Sequence, residues 1–136
     1  MVKRFIEAHQ KNFDRAFCEV RNKKKKTHWM WYIFPQLKEL GYSSMATYYG
    51  ISSKEEALEY ISNPFLAENM KKMCEVLLEI QECNAVSIFG EIDAKKLQSC
   101  MTLLYLVSHD EMFYNVLLKY YDGKLDVNTE NILRKL

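Results

Sequence analysis

Apolar side chains recur at helical spacing along most of the chain, with charged residues between them. The first stripe spans residues 3 to about 21 and predicts an amphipathic helix. The clearest stripe follows Asn63 and Pro64, a pair that favours a helix start, and consists of Leu66, Met70, Met73, Leu77 and Ile80. No segment alternates apolar and polar residues with a period of two, so the pattern predicts helices and no sheet.

Capping signals predict the shorter helices. Thr27 is predicted to cap a segment that runs through Phe34, where Pro35 pushes the backbone out of the helical region. Other predicted starts are Ser43 or Ser44, Ser52 or Ser53, Asp93 and Asp110, and predicted ends are Gly50, Gly90 and Gly123. We expect an all-α fold, one compact domain over residues 1–136. It should be a bundle of about six or seven helices, several of them short, with orthogonal or irregular packing.

Composition and charge fit this picture and exclude several classes of protein. Hydrophobic residues make up 49% of the chain and charged residues 27%, the proportions of a folded domain. The formal net charge is +1, so no general field attracts a polyanion. The first residues lack the apolar run of a secretory signal, and no apolar run approaches the ~20 residues that span a bilayer. We expect a cytoplasmic protein with no membrane partner.

Cysteines and signature motifs predict neither a metal nor a cofactor. Cys18, Cys74, Cys83 and Cys100 form no CxxC pair and lie among apolar residues, so we expect reduced thiols in the core. The chain contains no dinucleotide-binding fingerprint, phosphate-binding loop, zinc-protease motif or hydrolase elbow. His9 lies in a polar turn of the first helical stripe and is predicted to be exposed.

The segment "KKKKTHWMWYIFPQ", residues 23 to 36, carries the most distinctive chemistry. Lysines followed by aromatic side chains suit nucleic acid, because cations bind phosphates and aromatic faces stack on bases. The competing interpretation is a solvated run, Lys23 to Lys26, beside core aromatics, and we favour it because the chain is nearly neutral. We therefore do not expect a nucleic-acid partner, although the alternative stays open.

His28 begins the aromatic part of this segment and is a candidate general base or phosphate donor, or a packed structural histidine. Trp29 and Trp31 are two residues apart, so on a helix they point in different directions and at least one should line a cleft or the surface. Together with Gln36 they supply flat faces and an amide, a common lining for a planar ligand.

A second candidate set lies in "DAKKLQSCMT". Asp93, Lys96, Ser99 and Thr102 follow one another at spacings of three, which predicts a polar strip on one helix face. The strip is either a cap followed by an exposed polar face or the wall of a pocket, with the helix N-terminus able to hold an anion.

Together these segments resemble a known family. "RFIEAH", "KKKTHWMWYIFPQ", "LGYSSMATYYGI", "NPFL", "IFG" and "DAKKLQSCMTL" follow the pattern of the family called domain of unknown function 1810, from about Arg4 to Asp122. The resemblance implies a compact, mainly helical domain in a mostly bacterial family without an established reaction. Some members carry the name calpastatin, but calpastatins are disordered inhibitors and this composition is that of a folded domain.

Three functions are compatible with these observations. The first is a pocket between the HWMW segment and the "DAKKLQSCMT" helix for a small, flat, anionic ligand such as a nucleotide or an ADP-ribose-like molecule. Trp29 or Trp31 would stack on it and Lys96 would meet its charge; His28 and Asp93 would form an acid/base pair if a cofactor-free hydrolysis occurs. The second is a protein-protein interaction or homo-oligomerisation domain, and the third is nucleic-acid binding through Lys23 to Lys26.

Overall fold

The computed structural model describes residues 2–136 and confirms the all-α prediction. Within this range the only β-type pairing is an isolated bridge between Leu37 and Ile51. The α-helices are α1 Lys3–Arg21, α2 Met30–Ile33, α3 Ser44–Tyr49, α4 Lys54–Ser62, α5 Pro64–Glu79, α6 Ala85–Ser108, α7 Glu111–Tyr121 and α8 Val127–Lys135. A 3-10 turn, Lys38–Leu40, lies between α2 and α3.

Short helices begin where side-chain oxygens meet free backbone N–H groups. Ser43 accepts from the Ala46 amide, and Ser53 accepts from the Glu56 amide at the start of α4. Asn63 accepts from two amides of the first turn of α5, which has Pro64 at its first position. Such caps contribute about 1 kcal/mol each, which matters most for helices this short. These starts agree with the sequence prediction.

Two predicted caps are wrong. Thr27 does not cap α2, which is a single turn; its hydroxyl donates instead to the Glu19 carboxylate, 2.6 Å away. Asp93 does not cap a helix either: α6 starts at Ala85, where Asn84 accepts from two amides, and after the break at Gly90 the helix has already resumed before Asp93. The side chain of Asp93 is therefore available for contacts across the helix surface.

A kink at Gly90 divides α6 and points its two parts in different directions. Gly90 has φ 82° and ψ 167°, a conformation that residues with a Cβ rarely adopt. A Cβ built on Gly90 would meet no atom within 4 Å, so backbone conformation and not crowding requires the glycine. The residues after the kink pass through the centre of the fold, where Leu97, Met101 and Leu103 are fully buried.

Large aromatic residues form much of the interior. The largest of the fully buried side chains are Trp29, Tyr60, Phe5, Phe34 and Phe113, which come from four different parts of the chain. Each aromatic side chain of this kind buries roughly 150–250 Å² on folding, and these residues join α1, α2, α4 and α7 in one core. The HWMW segment is therefore partly core.

His9 is buried, and the prediction that it is exposed is wrong. Its Nε2 donates to the Tyr32 carbonyl at 2.8 Å, and its Nδ1 accepts from the Asn69 side-chain amide at 3.1 Å. The Tyr60 hydroxyl lies 3.1 Å from Nε2. Burial, partly opposed by the bond to Tyr32, lowers the pKa of His9 to about 4, so the ring is neutral at pH 7. The histidine thus joins α1 to three other helices.

The four cysteines divide into two pairs of different character. Cys74 and Cys100 are buried free thiols, and burial raises the pKa of both. Cys18 and Cys83 are exposed, contrary to the prediction that all four lie in the core. Cys18 lies on the outer face of α1, and Cys83 lies in the connection between α5 and α6, where neighbouring apolar residues do not indicate burial.

Lys119 closes the C-terminal end of α5 from a neighbouring helix. Its ammonium group donates to the carbonyls of Leu77, at 2.6 Å, and Leu78, at 3.3 Å, and also to that of Ile80. The last carbonyls of a helix have no partner within the helix, and a cation there also complements the helix dipole. One lysine of α7 thus replaces the usual glycine cap.

Candidate functional site

A cleft of about 510 Å³ lies between α2 and the kink of α6. We call it the α2–α6 cleft. Its walls are Lys25, His28, Trp29, Met30 and Trp31 on one side, and residues 89 to 93 with Lys96 on the other. The volume falls in the range of pockets that hold small molecules. The two sequence segments singled out by their chemistry therefore face each other.

The two tryptophans have different roles, as their spacing predicts. Trp29 is fully buried, and its indole N–H donates to the Glu19 carboxylate at 2.9 Å. Trp31 is half-buried and presents part of its ring to the cleft. A buried tryptophan with a satisfied N–H is a fixed wall, whereas a half-exposed indole offers a face on which a flat ligand can stack.

An ion-pair cluster lies across the cleft. Lys25 Nζ is 2.9 Å from one carboxylate oxygen of Asp93, and Lys96 Nζ is 3.8 Å from the other. The Lys25 side chain is only 8% exposed and also donates to the Thr27 carbonyl at 2.6 Å. The cluster of two cations and one anion has a local net charge of +1, whereas the Glu91 carboxylate at the rim brings the formal charge of the whole cleft lining to zero. Any attraction for an anion is therefore local to the lysine ammonium groups.

Both lysines also lie over indole rings. The ammonium group of Lys25 is 5.0 Å from the centre of the Trp29 ring, and that of Lys96 is 5.8 Å from Trp31. The imidazole of His28 lies 6.4 Å from Trp31. Cations attracted to the ring faces are held in place, so Lys96 and Trp31 form a paired cation and stacking surface at the cleft.

Glu19 fixes the segment that leads into the cleft. Its carboxylate accepts from the amides of Lys26 and Thr27, the Thr27 hydroxyl and the Trp29 indole, at distances of 2.6 to 3.0 Å. Burial by itself would raise the pKa of Glu19, but these four hydrogen bonds outweigh it and lower the pKa to about 2. The last turn of α1 therefore holds one wall of the cleft.

The lysine run is not uniform. Lys23, Lys24 and Lys26 are exposed, as a solvated connector requires, and Lys23 has the left-handed φ of 63° that follows a helix end. Lys25 is different because its side chain enters the cleft, and its backbone N–H donates to the Ile88 carbonyl at 2.8 Å. Four identical letters in the sequence gave no signal that one of them belongs to the site.

Six of the eight predicted site residues meet at or beside this cleft. Those that line it are His28, Trp29, Trp31, Asp93 and Lys96. Gln36 lies beside the cleft, in a small pocket of about 10 Å³. The other residues that line this pocket are Met30, Trp31, Phe34, Ala46, Tyr49, Gly50 and Lys96. We call this the side pocket. Met30, Trp31 and Lys96 line both hollows, so the two adjoin.

Ser99 and Thr102 lie outside the cleft, so their predicted place in its wall is wrong. Ser99 donates to the Lys95 carbonyl within its own helix, and Thr102 donates to the Gln98 carbonyl while accepting from the Asp126 amide. Three residues turn a helix by about 300°, so each step of three falls about 60° behind a straight stripe. After three steps Thr102 points away from Asp93 and supports the start of α8.

The predicted acid/base pair is not assembled. His28 is exposed, and among residues 2–136 its ring has no hydrogen-bond partner. Each oxygen of Asp93 faces a lysine ammonium group instead of His28. The cleft wall thus offers cations, an indole face and an imidazole, which are groups that bind an anion.

Six of the eleven residues that line the cleft were not predicted as part of it: Lys25, Met30, Phe89, Gly90, Glu91 and Ile92. The kink at Gly90 turns Ile92 outward, where its side chain is 73% exposed. The motif "IFG" predicts only a helix end, and the apolar Ile92 between Glu91 and Asp93 is the available signal for this rim.

No group of three or more metal-ligating side chains occurs in the described part of the chain. Across residues 2–136, no helix combines the length and the apolar character that crossing a membrane requires.

Comparisons with known proteins give a fold and a family but no activity. Residues 1–133 match the family model described as protein of unknown function (DUF1810). A crystal structure of the conserved hypothetical protein Rv1873 from Mycobacterium tuberculosis is 36% identical, with a TM-score of 0.94. The alignment covers 98% of this chain and 96% of that one. None of the curated protein sequences matches the chain significantly.

Proposed function

Because the chain belongs to the DUF1810 family, whose description names no activity, we propose a function from the geometry of the cleft. The α2–α6 cleft binds a small, flat, anionic ligand such as a nucleotide or an ADP-ribose-like molecule. The observation that carries this proposal is Lys96, which faces both the ring of Trp31 and the carboxylate of Asp93. One residue thus brings positive charge to a stacking surface.

The stacking surface supports a flat ligand. Trp31 is held by α2, whose neighbouring residues Met30 and Ile33 are buried and fix the turn. Stacking of a base on an aromatic side chain contributes about 1–3 kcal/mol. A ring against Trp31 would place an attached anionic group toward Lys96, whose ammonium group can then form a charge-assisted hydrogen bond with it.

Binding is better supported than turnover. Hydrolysis would require Asp93 to accept a proton while both of its oxygens face lysines, and it would require His28 to move toward Asp93. Binding an anion requires neither change. A hydrolase that uses His28 and Asp93 therefore stays a secondary part of the proposal.

Tryptophan fluorescence tests the binding proposal directly. We expect adenosine 5′-monophosphate and phenyl phosphate to quench the emission of the half-exposed Trp31 in a saturable way. Trp31→Leu should abolish the signal, and Lys96→Met should weaken binding about tenfold, since a charge-assisted contact is worth about 1.5 kcal/mol or more. Lys72→Met, at an exposed lysine on α5, is the matched control and should bind like the wild type.

If neither adenosine 5′-monophosphate nor phenyl phosphate changes the tryptophan fluorescence, the proposal is refuted for phosphate ligands. Equal affinity in wild type and Lys96→Met would refute the assigned role of the cation. Isothermal titration calorimetry provides an independent measurement that does not depend on quenching.

A second candidate is self-association through α3. Tyr42 is 97% exposed and Tyr48 is 59% exposed, and Met45 lies between them in the sequence. Exposed tyrosines are typical of interaction surfaces. Sedimentation velocity of the wild type and of Tyr42→Ser tests self-association. A wild-type dimer that the substitution dissociates would support it, and a wild-type monomer at about 100 µM would exclude it.

The nucleic-acid alternative has less support. Lys23, Lys24 and Lys26 are exposed, but Trp29 is buried and Lys25 is engaged with Asp93, so the segment does not present cations and stacking faces together. Oligonucleotide binding that falls steeply with salt would restore this alternative.

The proposed location is the cytoplasm. All four cysteines are free thiols, which fits a reducing compartment. The ligand classes proposed for the cleft are abundant there. Fractionation of cells that produce the tagged protein tests the location.

A further inference from the structure

The side pocket contains a polar group without a protein partner. The side-chain amide of Gln36 forms no hydrogen bond with another group in residues 2–136, although the residue is half-buried. An amide carries two N–H donors and one carbonyl acceptor. Because no side-chain N or O atom of residues 2–136 is both buried and unpaired, this amide stays in contact with solvent. Gln36 therefore has capacity that the fold does not use.

The backbone around Gln36 is firmly held. Its carbonyl accepts from the Ile51 amide at 3.0 Å, within the bridge that pairs Leu37 with Ile51. Gly41 packs closely beside it: a Cβ at Gly41 would lie 2.4 Å from the Ala46 Cβ and 3.6 Å from the Gln36 amide nitrogen. The backbone that carries the amide is thus fixed, so binding a ligand would have to order only the side-chain torsions.

The size of the side pocket limits what can enter. At about 10 Å³ it has room for one water-sized group and no room for a ring. It shares Trp31 and Lys96 with the α2–α6 cleft, which has space for a ring. A ring stacked on Trp31 would therefore stay in the cleft, and only a small substituent on its edge would enter the side pocket.

We propose that the side pocket recognises an exocyclic amino or carbonyl group of the ligand ring, and that the Gln36 amide is the specificity-determining contact. An amide can accept from an amino group or donate to a carbonyl, and it gains nothing from a plain C–H edge. The ligand class is then a ring with a polar edge, such as a nucleobase, and not a simple aromatic acid. This inference rests on the proposed function of the cleft.

Three matched nucleotides test the inference. Adenosine, inosine and purine riboside 5′-monophosphates share the ring system, the sugar and the phosphate, and differ at one ring substituent: amino, carbonyl or hydrogen. We expect purine riboside monophosphate to bind, and at least one of the other two to bind about 3- to 10-fold more tightly, as one net hydrogen bond provides. Gln36→Met, which keeps the side-chain length, should remove that preference and leave purine riboside monophosphate unaffected.

The controls separate the two proposals. Gln81→Met, at an exposed glutamine away from both hollows, should keep the preference. If none of the three nucleotides binds, the proposed function fails for nucleotides. If all three bind equally to the wild type, or if the preference survives in Gln36→Met, the cleft stands and the role of Gln36 is overturned. Melting temperatures of the variants, expected to match the wild type, show that the fold is retained.

Discussion

Acid should destabilise this protein through His9 well before its carboxylates are protonated. In the folded chain the pKa of His9 is about 4, against an ordinary value of 6.5. Below pH 6.5 the unfolded chain binds a proton at this residue and the folded chain does not, so stability falls as the pH falls. The destabilisation grows until the pH reaches the folded pKa and is constant below it.

The magnitude follows from the separation of the two pKa values. Between pH 7 and pH 5 the free energy of unfolding should drop by about 2 kcal/mol, and the full effect below pH 4 is roughly 3 kcal/mol. Glu19 has its own window, since its folded pKa of about 2 removes stability only as the pH falls below its ordinary 4.5. The range from pH 7 to pH 5 therefore reports mainly on His9.

Urea unfolding followed by circular dichroism, at several pH values between 7 and 5, measures this effect. His9→Gln should be less stable at pH 7 but should lose most of the pH dependence in this range. His28→Gln changes an exposed histidine and should retain it. An unchanged pH slope in His9→Gln would falsify the assignment, because the slope would then come from another group.

Three further perturbations test the contacts around the fold and the cleft. Lys119→Met should lower the free energy of unfolding by about 1–3 kcal/mol, because the carbonyls of Leu78 and Ile80 lose the lysine as their donor. Lys124→Met, at an exposed site, should be neutral in the same urea titration. Gly90→Ala should cost about 1–3 kcal/mol through backbone strain alone; a melting temperature equal to that of the wild type would contradict the φ of 82°. Glu19→Gln should lower the free energy of unfolding by roughly 1–3 kcal/mol. It should also red-shift the fluorescence of Trp29, whose indole N–H loses the carboxylate as its acceptor, and an unchanged emission spectrum would argue against the role of that carboxylate.

Local signals in the sequence predict most of the helices. Ser53, Asn63 and Asp110 each cap a helix by bonding to amides two or three residues away, so the whole interaction is contained in a short segment. Gly90 is also a local signal, because a glycine at a break in the helical pattern predicts the interruption of α6. The prediction that Asp93 caps the next helix is wrong. Interactions within a few residues are visible in the sequence because spacing determines them.

Long-range contacts explain what the sequence did not predict. His9 lies among polar neighbours, and only Tyr32, Tyr60 and Asn69, brought in from other helices, make it a buried residue. Lys25 is indistinguishable from the adjacent lysines until α6 places Asp93 beside it. Five of the eleven side chains that line the cleft were predicted from the sequence, whereas their pairing depends on the fold.

The four hydrogen bonds accepted by Glu19 couple the end of α1 to whatever occupies the cleft. The Glu19 carboxylate accepts from the indole N–H of Trp29 and from the backbone amides of Lys26 and Thr27, which directly follow Lys25. Occupancy of the cleft should therefore slow amide hydrogen exchange in the last turn of α1, although no atom of that turn lines the cleft. The rate of amide hydrogen exchange at residues 19 to 22 thus reports on binding at a cleft that those residues do not line.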